Sequence, residues 1–115
     1  MKHAERRRHP RYPFVAVAHI EELLSQRELV ANTVNISLGG CFIDMHAPLP
    51  AGAPIRITIS SNGATFKALG NVVVSLASAG MRLGFETLTP DQEAVLRNWV
   101  DLAQQRSETQ NENTV

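Results

Sequence analysis

Hydrophobic and polar residues alternate in the middle of the chain, most plainly between Ile55 and Ser60. Ile55, Ile57 and Ile59 alternate with three polar residues, a period of two that predicts a strand with one buried face. Five more segments have strand-like sequence, namely residues 14–20, 28–36, 41–45, 64–76 and 81–87. Because turn sequences rich in glycine, proline and asparagine separate them, we predict a mainly β fold, a small six-stranded antiparallel barrel.

One C-terminal α-helix is predicted after the strands. It begins at Thr89-Pro90-Asp91-Gln92, which offers a capping threonine, a proline at the first helical position and an acidic first turn. Its predicted buried stripe comprises Val95, Leu96, Trp99, Val100, Leu102 and Ala103. We therefore divide the chain into a basic flexible N-terminal arm (residues 1–13), a barrel with its helix (14–104) and a disordered polar tail (105–115).

Composition narrows the class of protein. A chain of 115 residues has the size of one domain. Cys41 is the single cysteine, which excludes an intrachain disulfide and a cysteine-based zinc site. The N-terminus lacks the apolar run of a signal peptide, and no segment approaches the ~20 apolar residues that span a bilayer. We therefore expect a cytoplasmic protein without membrane insertion.

Charge is distributed unevenly, although the formal net charge is zero. Residues 1–11 hold five basic side chains and one acidic, whereas the other 104 hold six basic and ten acidic. A basic head on an acidic body indicates a local anion site. The domain as a whole lacks the basic excess of a nucleic-acid-binding protein. No histidine pairs with carboxylates at metal-binding spacing, and no nucleophile or acid–base pair is evident, so we expect neither an enzyme nor a cofactor.

Two short motifs carry the functional signal. The first is Arg7-Arg8-His9-Pro10-Arg11 and the second is Asn35-Ile36-Ser37-Leu38-Gly39-Gly40. In order and spacing they resemble the signature pair of the PilZ family, Arg-x-x-x-Arg followed by Asp/Asn-x-Ser-x-x-Gly. Met81-Arg82-Leu83-Gly84-Phe85, followed by the Thr-Pro-capped helix, is similar to the end of a PilZ domain. The resemblance covers roughly residues 5–104 and implies a barrel that binds cyclic di-GMP, a bacterial second messenger.

The chemistry of these residue types suits such a ligand. A guanidinium fork meets the adjacent O6 and N7 acceptors of guanine, and it also pairs with phosphate. Asparagine and serine offer further donors and acceptors. The two glycines allow positive φ, a tight turn and close approach of the backbone to a ligand. The predicted ligand-binding residues are Arg6, Arg7, Arg8, Arg11, Asn35, Ser37, Gly39 and Gly40.

Each motif also has a plainer interpretation. A basic N-terminal run is usually solvated, and Asn-x-Ser before two glycines is a common turn in which side chains bond to the backbone. Asn35-Ile36-Ser37 also matches a glycosylation sequon, but nothing indicates a secreted chain. Trp99 and Cys41 are expected in the core.

The resemblance leads to a receptor that signals through its arm. Ligand binding would order the arm and change the surface offered to a downstream protein. Arg6 directly precedes the first motif, a position that in the family influences whether one ligand or a stacked pair is held, and with Arg8 nearby we predict two ligands per chain. The alternatives are a PilZ-like adaptor that binds no nucleotide and a small nucleic-acid-binding barrel.

Overall fold

The computed structural model describes residues 9–113, with side chains for residues 9–109. Its sheet has seven strands, and one helix follows them. The strands are β1 (Tyr12–Pro13), β2 (Val17–Glu22), β3 (Glu28–Ile36), β4 (Gly40–Asp44), β5 (Pro54–Ser61), β6 (Ala64–Leu76) and β7 (Gly80–Phe85). The helix is α1 (Pro90–Asn113). Arg6, Arg7 and Arg8 lie outside the described residues.

Six of the strands close into an antiparallel barrel. Their order is β3-β2-β5-β6-β7-β4, and β4 pairs with β3 to complete the circle. β1 is an additional strand that pairs with the end of β3. The prediction of a mainly β, six-stranded antiparallel barrel with one C-terminal helix is therefore confirmed. Because the chain reverses at every hairpin, the β3–β4 turn, the end of β7 and the start of α1 lie at the same end of the barrel.

The barrel interior is built from alternate residues of each strand. Ile55, Ile57 and Ile59 are fully buried, as their spacing predicts. Phe66 and Leu83 contribute from β6 and β7. Each large side chain buried in this way stabilises the fold by roughly 1.5–3 kcal/mol.

A bulge separates β1 from β2. The sequence predicts a strand over residues 14–20 and a flexible arm over residues 1–13, whereas the structure has β1 at Tyr12–Pro13 and β2 at Val17–Glu22. Tyr12 pairs with Ile36, whereas Val17 pairs with Asn32, so the first strand holds one extra residue between these pairs. The Oγ1 of buried Thr33 accepts a hydrogen bond from the Ala16 amide at 2.9 Å and donates one to the Phe14 carbonyl at 2.6 Å. The threonine side chain thus satisfies backbone groups that the bulge leaves unpaired.

Helix α1 begins as predicted. The Gln92 amide donates to Thr89 Oγ1 at 3.3 Å, while the Gln92 side chain accepts from the Lys67 amide at 2.7 Å. The helix packs against the barrel through buried Leu96, Trp99, Val100 and Ala103. Leu102, predicted on the same stripe, is 41% exposed, because the contact surface is narrower than the apolar pattern.

The helix continues beyond its predicted end. We expected residues 105–115 to form a disordered tail, whereas α1 extends through Asn113. No glycine or proline interrupts this segment, and its glutamines, glutamates and arginine are good helix formers that need no buried face. In the described part of the chain, this helix is too polar to serve as a membrane span.

The helix also contacts the arm side of the barrel. The Trp99 ring stacks on Phe14, with ring centroids 5.4 Å apart, and lies 6.2 Å from the Phe66 ring. Phe14 directly follows β1. The aromatic contact therefore places α1 beside the segment that carries the first motif.

Candidate ligand-binding site

The second motif forms the turn between β3 and β4. The Ser37 Oγ accepts hydrogen bonds from the amides of Gly39 and Gly40, both at 3.1 Å. The Ser37 amide donates to the Gly40 carbonyl at 2.8 Å. Ser37 is buried and holds the turn together, so the turn interpretation of this serine is confirmed by its contacts.

The two glycines are required for reasons other than positive φ. Neither Gly39 nor Gly40 is among the positive-φ residues, so neither uses the positive φ that glycine allows. At Gly40 a Cβ would lie 1.9 Å from the Leu83 carbonyl oxygen, because β4 and β7 approach closely there. At Gly39 a Cβ would lie 3.0 Å from Cδ2 of His9. Gly40 therefore allows β7 to approach β4 closely, and Gly39 allows the His9 side chain to lie against the turn.

Asn35 lies beside this turn, near the end of β3. Its neighbours across the ladders are Pro13 of β1 and Phe42 of β4. Its Oδ1 is buried, and no described residue donates a hydrogen bond to it. A buried acceptor without a partner is costly, by about 1–3 kcal/mol. Asn35 therefore offers an acceptor to a donor group that comes from outside the barrel.

The register of β1 brings the end of the first motif to the same place. Arg11 is half-buried and directly precedes Tyr12, which pairs with Ile36. Of the eight predicted ligand-binding residues, the structure places Arg11, Asn35, Ser37, Gly39 and Gly40 around one turn. The positions of Arg6, Arg7 and Arg8 are outside the described residues. The two motifs thus meet, although 23 residues separate Arg11 from Asn35 in the sequence.

Two residues that the sequence analysis did not select share the outer face with Asn35. Phe42 pairs with Asn35 on one side and with Arg82 of β7 on the other. The Phe42 and Arg82 side chains are half-buried, whereas the residues directly before and after each of them are buried in the core. The alternation in Met81-Arg82-Leu83 indicates that Arg82 points outward, which is the signal that could have found it. Asn35, Phe42 and Arg82 thus form a row on three adjacent strands.

A model of the PilZ domain family matches residues 5–102. The chain belongs to the PilZ domain family. The match includes both motifs and most of the helix. A search of curated proteins found no match.

Solved PilZ structures share the fold of this PilZ domain. The PilZ domain of YcgR from Escherichia coli, solved with c-di-GMP, superimposes with a TM-score of 0.72 at 15% identity, covering 93% of this chain and 98% of that one. YcgR in complex with c-di-GMP gives 0.73 at 17% identity, with 96% and 51% covered. The motility inhibitor MotI/DgrA of Bacillus subtilis gives 0.71 at 18% identity, with 90% and 52% covered. This chain therefore spans about half the length of the last two proteins.

Other chemistry in the PilZ domain is sparse over residues 9–109. Complete burial raises the pKa of the Cys41 thiol to about 12, which keeps it protonated and unreactive at neutral pH. No group of three histidine, cysteine or carboxylate side chains is arranged to hold a metal ion within that range.

A concavity of about 190 Å³ lies on the outer face of β2, β3 and β5. It is lined by Glu21, Glu28 and Arg56 among others, and Arg56 already pairs with Glu21 at 2.7 Å. It lies at the opposite end of β3 from Asn35. Its two carboxylates make it unsuited to an anionic ligand.

Proposed function

We propose that this PilZ domain is a receptor for cyclic di-GMP. The observation that carries the proposal is the register of β1 on β3, which sets Arg11, the last residue of the Arg-x-x-x-Arg motif, beside the Asn-x-Ser-x-x-Gly turn. A ligand that carries both phosphates and base edges could contact the cationic motif and the polar motif at the same time. The solved PilZ domain of YcgR with c-di-GMP supports this choice of ligand.

Each residue then has a chemical role. Arg7 and Arg11 supply guanidinium forks for a guanine edge and a phosphate. Asn35 uses its unpartnered Oδ1 to accept a hydrogen bond from a guanine N–H or from an arginine that the ligand draws in. Ser37 fixes the turn through its two backbone contacts. Arg82 supplies a further cation on the same outer face.

The arm transmits the signal of ligand binding. Ligand that binds both motifs stabilises the arm against the barrel and so changes the surface that a downstream protein meets. The domain acts in signalling as a receptor or adaptor and catalyses no reaction. We place it in the cytoplasm, with no contact to nucleic acid.

Calorimetric titration tests the proposal. We expect the protein to bind cyclic di-GMP and to show no heat with GTP or a DNA oligonucleotide. Arg11→Ala removes a charge-assisted contact worth roughly 1.5–3 kcal/mol, so affinity should fall about tenfold or more. Arg27→Ala, an exposed arginine in the β2–β3 hairpin at the other end of the barrel, is the matched control and should bind normally.

The competing functions give different results. An adaptor without nucleotide binding would show no heat with any of the three ligands, and a nucleic-acid-binding barrel would respond to the oligonucleotide. Equal cyclic di-GMP affinity for Arg11→Ala and the unchanged protein would overturn the assignment of the site.

A further inference from the structure

The His9 ring lies on Gly39, and neither residue belongs to the fixed positions of the two motifs. A Cβ built on Gly39 would lie 3.0 Å from Cδ2, 3.8 Å from Cγ and 3.9 Å from Nε2 of His9. These are the three nearest heavy atoms, so the glycine faces the imidazole ring. The contact joins a variable position of the first motif to a variable position of the second.

Gly39 is a rigid platform for this ring. Its amide donates to Ser37 Oγ at 3.1 Å, and its carbonyl accepts from the Phe85 amide at 2.9 Å. The amide is therefore held within the turn, and the carbonyl is held by the end of β7. Because the turn cannot move freely, a side chain that packs on it is itself restrained.

A second anchor lies three residues further along the arm. Tyr12 and Pro13 pair with Ile36 and Asn35 of β3. Pro10 restricts His9 to extended geometry and has a fixed φ of its own. The segment from His9 to Tyr12 is thus short, stiff and attached at both ends, and Arg11 lies between the two anchors.

We propose that His9 is a positioning residue that holds Arg11 beside Asn35 before the ligand arrives. This inference rests on the proposed function of the site. Ordering an arginine-bearing segment on binding costs conformational entropy, and a segment ordered in advance avoids that cost. The arm that cyclic di-GMP must order then ends before His9.

A double-mutant cycle in cyclic di-GMP affinity tests the contact. His9→Ala removes the ring, and Gly39→Ala pushes it away with a Cβ whose nearest neighbours are the ring atoms themselves. Each should weaken binding about three- to tenfold. The double variant should bind no more weakly than either single variant, because both changes disrupt one contact. His19→Ala, which removes an exposed histidine from β2, is the matched control and should bind normally.

A conservative variant separates positioning from general damage. His9→Phe keeps a flat ring on Gly39 and should restore most of the affinity lost in His9→Ala, and all variants should unfold at the same temperature. NMR order parameters for the Arg11 amide, measured without ligand, should be high in the unchanged protein and in His9→Phe but low in His9→Ala.

The outcomes distinguish this inference from the proposed function. If the unchanged protein does not bind cyclic di-GMP, the proposed function fails, while the order parameters still report whether His9 restrains Arg11. If the protein binds and His9→Ala binds equally well, or if Arg11 is equally mobile in both, the positioning role is refuted. Additive losses in the cycle would also overturn it.

Discussion

At the scale of single residues, Thr33 decides how the first strand is built. In sequence it is an ordinary β-branched strand residue, and nothing in the pattern around Phe14 to Ile20 predicts that its hydroxyl bridges two backbone groups of a neighbouring strand. The bulge depends on two hydrogen bonds of Thr33 Oγ1, whose partners Ala16 and Phe14 lie 17 and 19 positions earlier in the sequence. Local periodicity cannot supply such a contact, which is why the strand was predicted to begin at residue 14, whereas β2 begins at Val17 and β1 lies within the predicted arm.

Thr33→Val should therefore destabilise the protein. The valine has nearly the same shape, but the Ala16 amide and the Phe14 carbonyl lose a buried partner, so the free energy of unfolding should fall by about 1–3 kcal/mol. Urea denaturation followed by circular dichroism measures the change. Thr65→Val, at an exposed position of β6, is the control and should stay within about 0.5 kcal/mol of the unchanged protein. Equal stability of the two variants would refute this role of Thr33.

In the candidate site, too, some residues could be selected from local sequence, whereas others depend on contacts between distant parts of the chain. The motif residues Asn35 and Ser37 could be selected from the sequence because their spacing is preserved. The outward direction of Arg82 could also have been predicted from the alternation around it. The contact of His9 with Gly39 and the position of Phe42 between Asn35 and Arg82 could not, because they depend on which strands are neighbours. The close approach of the Leu83 carbonyl to Gly40 could not be predicted either, since it is a property of the closed barrel.

At the scale of elements, local patterns predicted both ends of each barrel strand to within three residues, and predicted the beginning of the helix better than its end. Strands 28–36 and 64–76 have their predicted limits, and α1 begins after its predicted threonine cap. The end of α1 was missed because polar helix formers give no signal in hydrophobic periodicity. Beyond Ala103, the described side chains of the helix are exposed or half-buried, so this last part depends on intrinsic helix propensity.

Removal of residues 105–115 should leave the barrel intact. No fully buried side chain is lost from the described part of this segment, so the free energy of unfolding should change by less than about 1 kcal/mol. Circular dichroism should report less helix and thermal unfolding should report the same cooperative transition. A chain that ends at residue 98 lacks Trp99, Val100 and Ala103 and should fail to fold stably. A large loss of stability on removal of residues 105–115 alone would show that the end of α1 supports the barrel.

At the scale of the whole molecule, charge is segregated between the arm and the body. The arm holds a cluster of cations, and the rest of the chain has an acidic excess. A stacked pair of cyclic di-GMP molecules carries four phosphate charges, which one arginine alone would balance poorly. The segregation therefore favours a ligand of high negative charge at the arm.

We accordingly predict two cyclic di-GMP molecules per chain. Arg6, which lies outside the described residues, would contact the second guanine, and Arg8 would help to balance charge. Calorimetry at saturating ligand should give a ratio of two. Arg6→Leu should lower the ratio toward one while binding persists through Arg7 and Arg11. A ratio of one for the unchanged protein would contradict the prediction.

The closed circle of strands restricts the ways in which another protein could bind this domain. Each of the six barrel strands already has hydrogen-bonded neighbours on both sides, so a peptide cannot dock by β-augmentation, in which an extended segment adds itself to an open sheet edge. β1 offers an edge only two residues long, and one of them is a proline without an amide donor. A signalling partner is therefore expected to recognise side chains on the arm, the barrel face or α1, where specificity depends on residue identity.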